Sequence, residues 1–141
     1  MKTILDFLME NGEYANAIGN IDVTWTPNFG YITMCVNETD SYEIEAENPF
    51  EFQNQIQDIL YDKYKTEVRF CEECGKPFDR GFMADDGGWY SCEDCFESAM
   101  DKCYGKEKWR PTDTEGSYGG YYEALDGDEW EDTSIFYTEW N

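Results

Sequence analysis

The sequence predicts an α+β protein in which a helix, three strands and a second helix precede a cysteine-rich module and an acidic, aromatic tail. Near both ends of the first 70 residues, apolar residues recur at helical spacing. Between these two stretches, apolar and polar residues alternate as in strands. Two Cys-x-x-Cys pairs follow in the second half. A chain of 141 residues can form one domain of ordinary size or two small modules. Composition divides it into segments 1–70, 71–110 and 111–141, with the first segment packed on the second.

The first segment, 1–70, begins with a short amphipathic helix over Thr3–Met9, which Asn11-Gly12 ends. Alternating stretches then predict three antiparallel strands, which are Ile21–Thr26, Tyr31–Val36 and Tyr42–Ala46. The residues Glu13–Gly19 match neither the helical spacing nor the strand-like alternation clearly, and a further helical turn is one interpretation of them.

The second helix has the clearest start signal in the chain. Asn48 can cap the helix, Pro49 suits its first position, and Glu51 lies three residues after the cap. The resulting α-β-β-β-α order resembles double-stranded-RNA-binding domains in topology alone. Between Thr3 and Asp62, however, there are twelve acidic residues and no Lys or Arg, which argues against RNA binding.

Two Cys-x-x-Cys pairs, Cys71 with Cys74 and Cys92 with Cys95, are separated by seventeen residues. This spacing is typical of a structural site in which four thiolates hold one zinc ion. Gly75 follows the first pair, where a positive φ lets backbone amides turn toward the sulfurs. Two disulfides or buried thiols are the alternatives. Because no secretory signal precedes the chain, a reducing cytoplasm is expected, which favours zinc.

The residues around the second pair indicate a particular zinc architecture. Lys76–Met83 and Trp89–Ser91 are strand-like and flank a turn rich in Asp and Gly, while Phe96–Cys103 places apolar side chains on one helical face. The second pair therefore lies at a helix N-terminus, where the dipole favours thiolates. This order of knuckle, hairpin and helix is a treble clef. Cys103, on the apolar helical face, and Cys35, in a strand, are expected to be core residues.

The composition is strongly acidic, and this charge narrows the choice of partner. The chain has 32 Asp and Glu against 10 Lys and Arg, a formal net charge of −22 and no histidine. Its 18% aromatic content separates it from acidic disordered sequences. Direct binding to DNA, RNA or an anionic membrane is disfavoured, because such binding needs cations that neutralise phosphates. A basic protein that normally holds nucleic acid is the expected partner.

The tail, 111–141, combines nine acidic residues with many aromatic side chains and contains no Lys or Arg. Ser134–Trp140 favours a closing strand. The aromatic residues either cover the zinc module, which is expected for at least half of them, or contact a partner. Spaced carboxylates either maintain solubility or imitate a nucleic-acid duplex. The candidate partner-binding residues are Asp126, Asp128, Glu129, Trp130, Glu131, Asp132, Glu43, Glu45 and Glu47.

The run Cys71–Cys95 combines a Cys-x-x-Cys-Gly-Lys knuckle, a Gly-Gly-Trp step and Tyr90 before the second pair. Together with the C-terminal Tyr-Thr-Glu-Trp, it resembles small zinc-ribbon proteins of bacterial phages and mobile elements. The resemblance covers roughly the second half of the chain, and it implies a phage or mobile-element origin but no reaction. In charge and size alone, the chain is similar to acidic anti-CRISPR and anti-restriction proteins.

Catalysis is not expected from these residues. A zinc ion enclosed by four cysteines has no open position for water, and without histidine there is no Ser-His or Cys-His pair. The first hypothesis is therefore an acidic inhibitor that occupies the nucleic-acid channel of a host defence protein, a CRISPR or restriction nuclease. The second is a zinc-ribbon adaptor that docks a protein through Trp109, Trp130 and Trp140.

Overall fold

The computed structural model describes residues 2–112 and 121–141. Within these ranges the chain is a mixed α+β protein with three helices and antiparallel sheets. It forms two compact units, of which the first comprises Met1–Asp79 with Trp140–Asn141 and the second comprises Arg80–Glu139. Among the described residues, no helix is both long enough and apolar enough to span a membrane.

The first unit contains two helices and six strands, which are α1 (Ile4–Asn11), β1 (Tyr14–Ile18), β2 (Ile21–Pro27), β3 (Ile32–Val36), β4 (Asp40–Ile44), α2 (Pro49–Tyr64), β5 (Arg69–Phe70) and β6 (Pro77–Phe78). The strands β1 to β4 form one antiparallel sheet in that order, and β5 pairs with β6. Alternate residues of β2 and β3 are buried, as in Val23, Trp25 and Met34, and they form the core with Leu8 of α1 and Ile56 of α2. The predicted helices and three strands are confirmed, with small changes at their ends.

The strand β1 corrects the predicted α-β-β-β-α order, because four strands lie between the two helices. A further helical turn over Glu13–Gly19 is therefore wrong. Ile18 pairs with Ile21 across the turn Gly19-Asn20, and Gly19 has a φ of +59°. This left-handed conformation suits glycine in a two-residue hairpin turn.

The start of α2 is built from the predicted capping residues. The side-chain oxygen of Asn48 accepts a hydrogen bond of 3.1 Å from the backbone N–H of Glu51. The Glu51 carboxylate in turn accepts from the side-chain amide of Asn48 at 3.0 Å. With Pro49 as the first helical residue, this arrangement stabilises the point where the chain leaves the sheet.

The described residues of the second unit form five strands and a helix, which are β7 (Arg80–Ala84), β8 (Tyr90–Ser91), α3 (Phe96–Tyr104), β9 (Trp109–Pro111), β10 (Tyr121–Asp126) and β11 (Glu129–Glu139). The strands form one antiparallel sheet in the order β8-β7-β11-β10-β9. Its core contains Phe82, Phe96, Met100, Tyr122 and Ile135, and the rings of Phe82 and Phe96 stack with centroids 3.6 Å apart. The predicted closing strand is present as part of the longer β11.

The two cysteines outside the Cys-x-x-Cys pairs differ from expectation. Cys35 lies in β3 as predicted but is only half-buried, and Cys103 is exposed in the last turn of α3. The expectation of a core position is therefore wrong for Cys103. The buried residues of this helix, Phe96, Ala99 and Met100, end one turn before it.

Candidate metal centre

Cys71 and Cys74 lie in a tight turn between β5 and β6. The N–H of Cys71 donates to the carbonyl of Lys76 at 3.0 Å, and the N–H of Gly75 donates to the carbonyl of Cys71 at 2.7 Å. Gly75 has a φ of +80°, as the sequence predicts. Pairing of the two short strands closes the turn at its base. This turn fixes the backbone of both cysteines.

Cys92 and Cys95 lie between β8 and the start of α3. The N–H of Cys95 donates to the carbonyl of Cys92 at 3.2 Å, and the N–H of Ala99 donates to the carbonyl of Cys95 at 2.9 Å. Cys95 is therefore the N-cap of the helix, as the sequence predicts. A thiolate here interacts favourably with the positive end of the helix dipole.

The sulfurs of the four cysteines all lie within 4.8 Å of one another. A tetrahedral ion with metal–sulfur bonds of about 2.3 Å requires sulfur–sulfur distances of roughly 3.8 Å. The four side chains are therefore close enough together to hold one metal ion. Cys71 and Cys92 are buried, whereas Cys74 and Cys95 are half-buried. None of the six cysteines is joined in a disulfide, and all six lie within the described range 2–112.

Acidic side chains lie next to the first cysteine pair. Burial raises the pKa of the Glu72 carboxyl, and the negative charges of Cys71 and Glu73 raise it further. The backbone carbonyl of Glu72 accepts a hydrogen bond of 3.1 Å from the N–H of Lys2. The turn is thus both negatively charged and tied to the N-terminal residues of the same unit.

Six of the candidate partner-binding residues lie on the hairpin of β10 and β11. The five carboxylates among them are exposed, and they are Asp126, Asp128, Glu129, Glu131 and Asp132. Trp130 is half-buried, and the guanidinium of Arg110 lies 3.9 Å from the centre of its ring. The hairpin therefore presents carboxylates, while its indole is already stacked on a cation.

The other three candidates, Glu43, Glu45 and Glu47, lie on β4 and the connection to α2 in the first unit, and all three are exposed. The carbonyl of Glu45 accepts a hydrogen bond of 2.6 Å from the side chain of Gln55. This bond holds the connection against α2. A partner-binding role for either group of acids stays a prediction.

The tryptophans of the adaptor hypothesis are half-buried. The indole of Trp109 donates to Asp101 at 2.8 Å, and the ring of Trp140 packs edge-on against Phe78 with centroids 5.6 Å apart. The large exposed apolar side chains lie elsewhere and include Met9 and Phe29. The signal that could have identified Phe29 is an aromatic residue inside a Pro-Asn-x-Gly turn.

No protein-family model matches the chain, and no curated protein or solved structure is found to be similar to it.

Proposed function

We propose that the four cysteines hold one zinc ion in a treble-clef arrangement and that the chain is an acidic inhibitor of a basic host protein. The proposed target is a nucleic-acid-binding defence protein, a CRISPR or restriction nuclease, and the proposed origin is a phage or mobile element. The observation that carries the proposal is the exposure of the acids. All twelve Asp and Glu residues between Thr3 and Asp62 are exposed, and that stretch has no Lys or Arg.

The ligand set supports zinc as the metal. Four thiolates without an oxygen or nitrogen ligand suit zinc or an iron site, and zinc adopts this tetrahedral environment in structural sites. When bound, the ion supplies structural cross-linking and no reaction, because four sulfurs fill its coordination sphere. The position of Cys95 at the start of a helix and the turn closed by Gly75 both support the treble-clef arrangement.

The charge distribution supports a basic protein as the partner. Exposed carboxylates interact over roughly 8–10 Å in physiological salt, so neighbouring acids act together on a cationic groove. Such a groove, which normally holds phosphates, also attracts exposed carboxylates electrostatically. The acidic hairpin of the second unit adds a second group of exposed carboxylates. Its turn is tight, because Asp126 pairs directly with Glu129 and Gly127 adopts a φ of +63°.

The experiment begins by retaining host proteins on the immobilised, zinc-loaded chain and identifying them by mass spectrometry. Affinity for a retained protein is then measured at about 0.1 and about 0.5 M salt, with and without the nucleic acid that it binds. We expect the retained protein to bind the chain less tightly as salt is added, with a steep dependence, and the chain to compete with nucleic acid for that protein. A tight partner that binds equally well at both salt concentrations and alongside its nucleic acid would contradict the proposal.

Charge-neutral variants test which acids contribute. One variant replaces the hairpin acids by their amides, and another carries Glu43→Gln, Glu45→Gln and Glu47→Gln. Asp58→Asn and Asp62→Asn provide a control, because both acids are exposed on α2 outside the candidate groups. Weaker binding and a smaller salt dependence are expected from at least one of the first two variants. An effect of the α2 control as large as theirs would indicate net charge alone.

A further inference from the structure

The first unit has an open apolar groove of about 720 Å³ between α1, the turn joining β2 to β3, and the start of α2. We propose that this groove docks an amphipathic helical segment of a partner protein, with large apolar side chains as anchors and Lys or Arg around them. The volume lies within the range of roughly 300–1,000 Å³ typical of ligand pockets. The inference goes beyond the proposed function, since it requires neither the metal nor imitation of nucleic acid.

The groove has a buried floor and an exposed apolar rim. Leu8 and Phe52, on the floor, are 0% and 5% exposed. Met9 and Phe29 also line the groove but are 71% and 103% exposed. Contiguous exposed apolar surface of this kind is typical of interaction sites. A partner that covers the rim would remove both side chains from water.

The turn that carries Phe29 is held by its own hydrogen bonds. The backbone N–H of Asn28 donates to the carbonyl of Tyr31 at 2.9 Å, and the Asn28 side chain donates to the Thr33 hydroxyl at 2.7 Å. Gly30 completes the turn with a φ of +88°. Because these bonds fix the backbone of the turn, the point where the Phe29 side chain leaves the chain is held at the rim of the groove, and binding need not order the turn itself.

The elements that surround the groove indicate how a partner would bind. Its described lining residues belong to helices and turns, and Pro27 at the end of β2 is the one strand residue among them. A partner strand would need an open sheet edge along the groove. Side chains at i, i+3 or i+4, and i+7 of a helix can instead enter between the floor and the rim.

The charge around the groove selects the partner's polar face. Glu47 lines the groove, and Glu10 and Glu13 flank Gly12, which also lines it. All three carboxylates are exposed, and Glu10 forms an ion pair of 2.8 Å with Lys2. A second copy of the chain would bring another net charge of −22, and an anionic lipid surface would also be repelled. A segment with Lys or Arg beside its apolar anchors complements this field.

The test uses the full zinc-loaded chain and a synthetic helical peptide of about 18 residues, with Leu at i, i+3, i+4 and i+7, a few Lys beside them and Ala or Gln at the other positions. One control peptide has the same composition in scrambled order, and another has Glu in place of Lys. Methionine-methyl resonances report the site. Peptide binding is expected to shift Met9 but not Met34, which is 0% exposed in the core of the same unit. Equal binding of the scrambled peptide, or an unchanged Met9 resonance, would overturn the inference.

Phe29→Ser is expected to weaken peptide binding about tenfold or more, because it removes an exposed anchor without opening a core cavity. The matched control is Tyr61→Ser, which changes an aromatic residue of α2 that is 53% exposed and does not line the groove. Unchanged affinity of the Phe29→Ser variant would overturn the inference, as would a dimer of the chain alone that this variant dissociates. If a retained host protein binds the chain without competing with its nucleic acid, the proposed function is contradicted. Peptide binding in the groove would in that case still support this inference.

Discussion

Gly75 lies directly against the backbone carbonyl of Thr3, and a Cβ atom added to Gly75 would stand 1.9 Å from the Thr3 oxygen. That oxygen is fixed in place, because it accepts a hydrogen bond of 3.1 Å from the N–H of Phe7 in the first turn of α1. Gly75 also adopts a φ of +80°. The turn of the first cysteine pair therefore contacts the start of the N-terminal helix at a position that only glycine fits.

Gly75→Ala should destabilise the protein strongly, because the methyl group can avoid the Thr3 oxygen only if the turn or the helix start moves. Gly12→Ala is the matched control, since Gly12 has the same φ of +80° but no atom within 4 Å of the position that an added methyl group would occupy. The control should lower the free energy of unfolding by about 1–3 kcal/mol through backbone strain, and Gly75→Ala should lower it further. Urea unfolding of the zinc-loaded variants measures both. Equal losses would show that the contact with Thr3 is unimportant.

The cysteine cluster predicts one zinc ion per chain, lost on Cys71→Ser or Cys92→Ser. Cys103→Ser should retain the metal, because Cys103 is exposed and lies outside the cluster. Metal analysis of the purified variants gives the stoichiometry, and cobalt substitution gives the sulfur-to-metal absorption of a thiolate site. Acidification should release the ion, because protons compete for the thiolates. Full zinc content in Cys71→Ser would contradict the four-cysteine site.

Local signals in the sequence predicted the elements that short-range chemistry determines. Asn48 and Pro49 marked the start of α2, and alternation marked β2 and β3. The positive φ of Gly75 and the helix that follows Cys95 could also be predicted, because turns and caps depend on a few neighbouring residues. The proximity of the four sulfurs was likewise implied by spacing alone.

The elements that the sequence did not reveal depend on weak or distant signals. The strand β1 was missed because its alternation uses Ala and Asn, which have low strand propensity, although Gly19-Asn20 is a recognised hairpin signal. The central place of β11 between β7 and β10 depends on pairing across more than 40 residues, as in Phe82 with Tyr137. Helical periodicity placed Cys103 on the apolar face but could not show where the core ends.

The capping contacts of α2 predict that Asn48→Ala lowers the stability of the protein by a measurable amount. This change removes the acceptor of the Glu51 N–H bond and should lower the free energy of unfolding by about 1 kcal/mol. Asn54→Ala is the matched control, because Asn54 is exposed inside the same helix, where alanine has the higher helix propensity. Urea unfolding should show a loss for the first variant and no loss for the second. A similar loss in both would rule out a specific capping contribution.

The raised pKa of the Tyr64 phenol predicts that the protein loses stability at alkaline pH. Burial raises the pKa of its phenol, and hydrogen bonds of 2.8 Å with the Tyr42 hydroxyl and the Asp40 carboxylate raise it further. The folded protein therefore holds this proton more tightly than the unfolded chain. The resulting stabilisation is complete below the ordinary tyrosine pKa of about 10 and disappears as pH rises through the folded pKa.

Tyr64→Phe tests this dependence, because phenylalanine keeps the ring but cannot ionise. The stability difference between the original chain and this variant should therefore favour the original chain more at about pH 8 than at about pH 11. Urea unfolding at both values, with zinc present, measures the difference, and the phenolate absorbance should show one fewer late-titrating tyrosine in the variant. A stability difference that does not change between the two pH values would show that the hydrogen bonds with Tyr42 and Asp40 do not stabilise the protonated phenol.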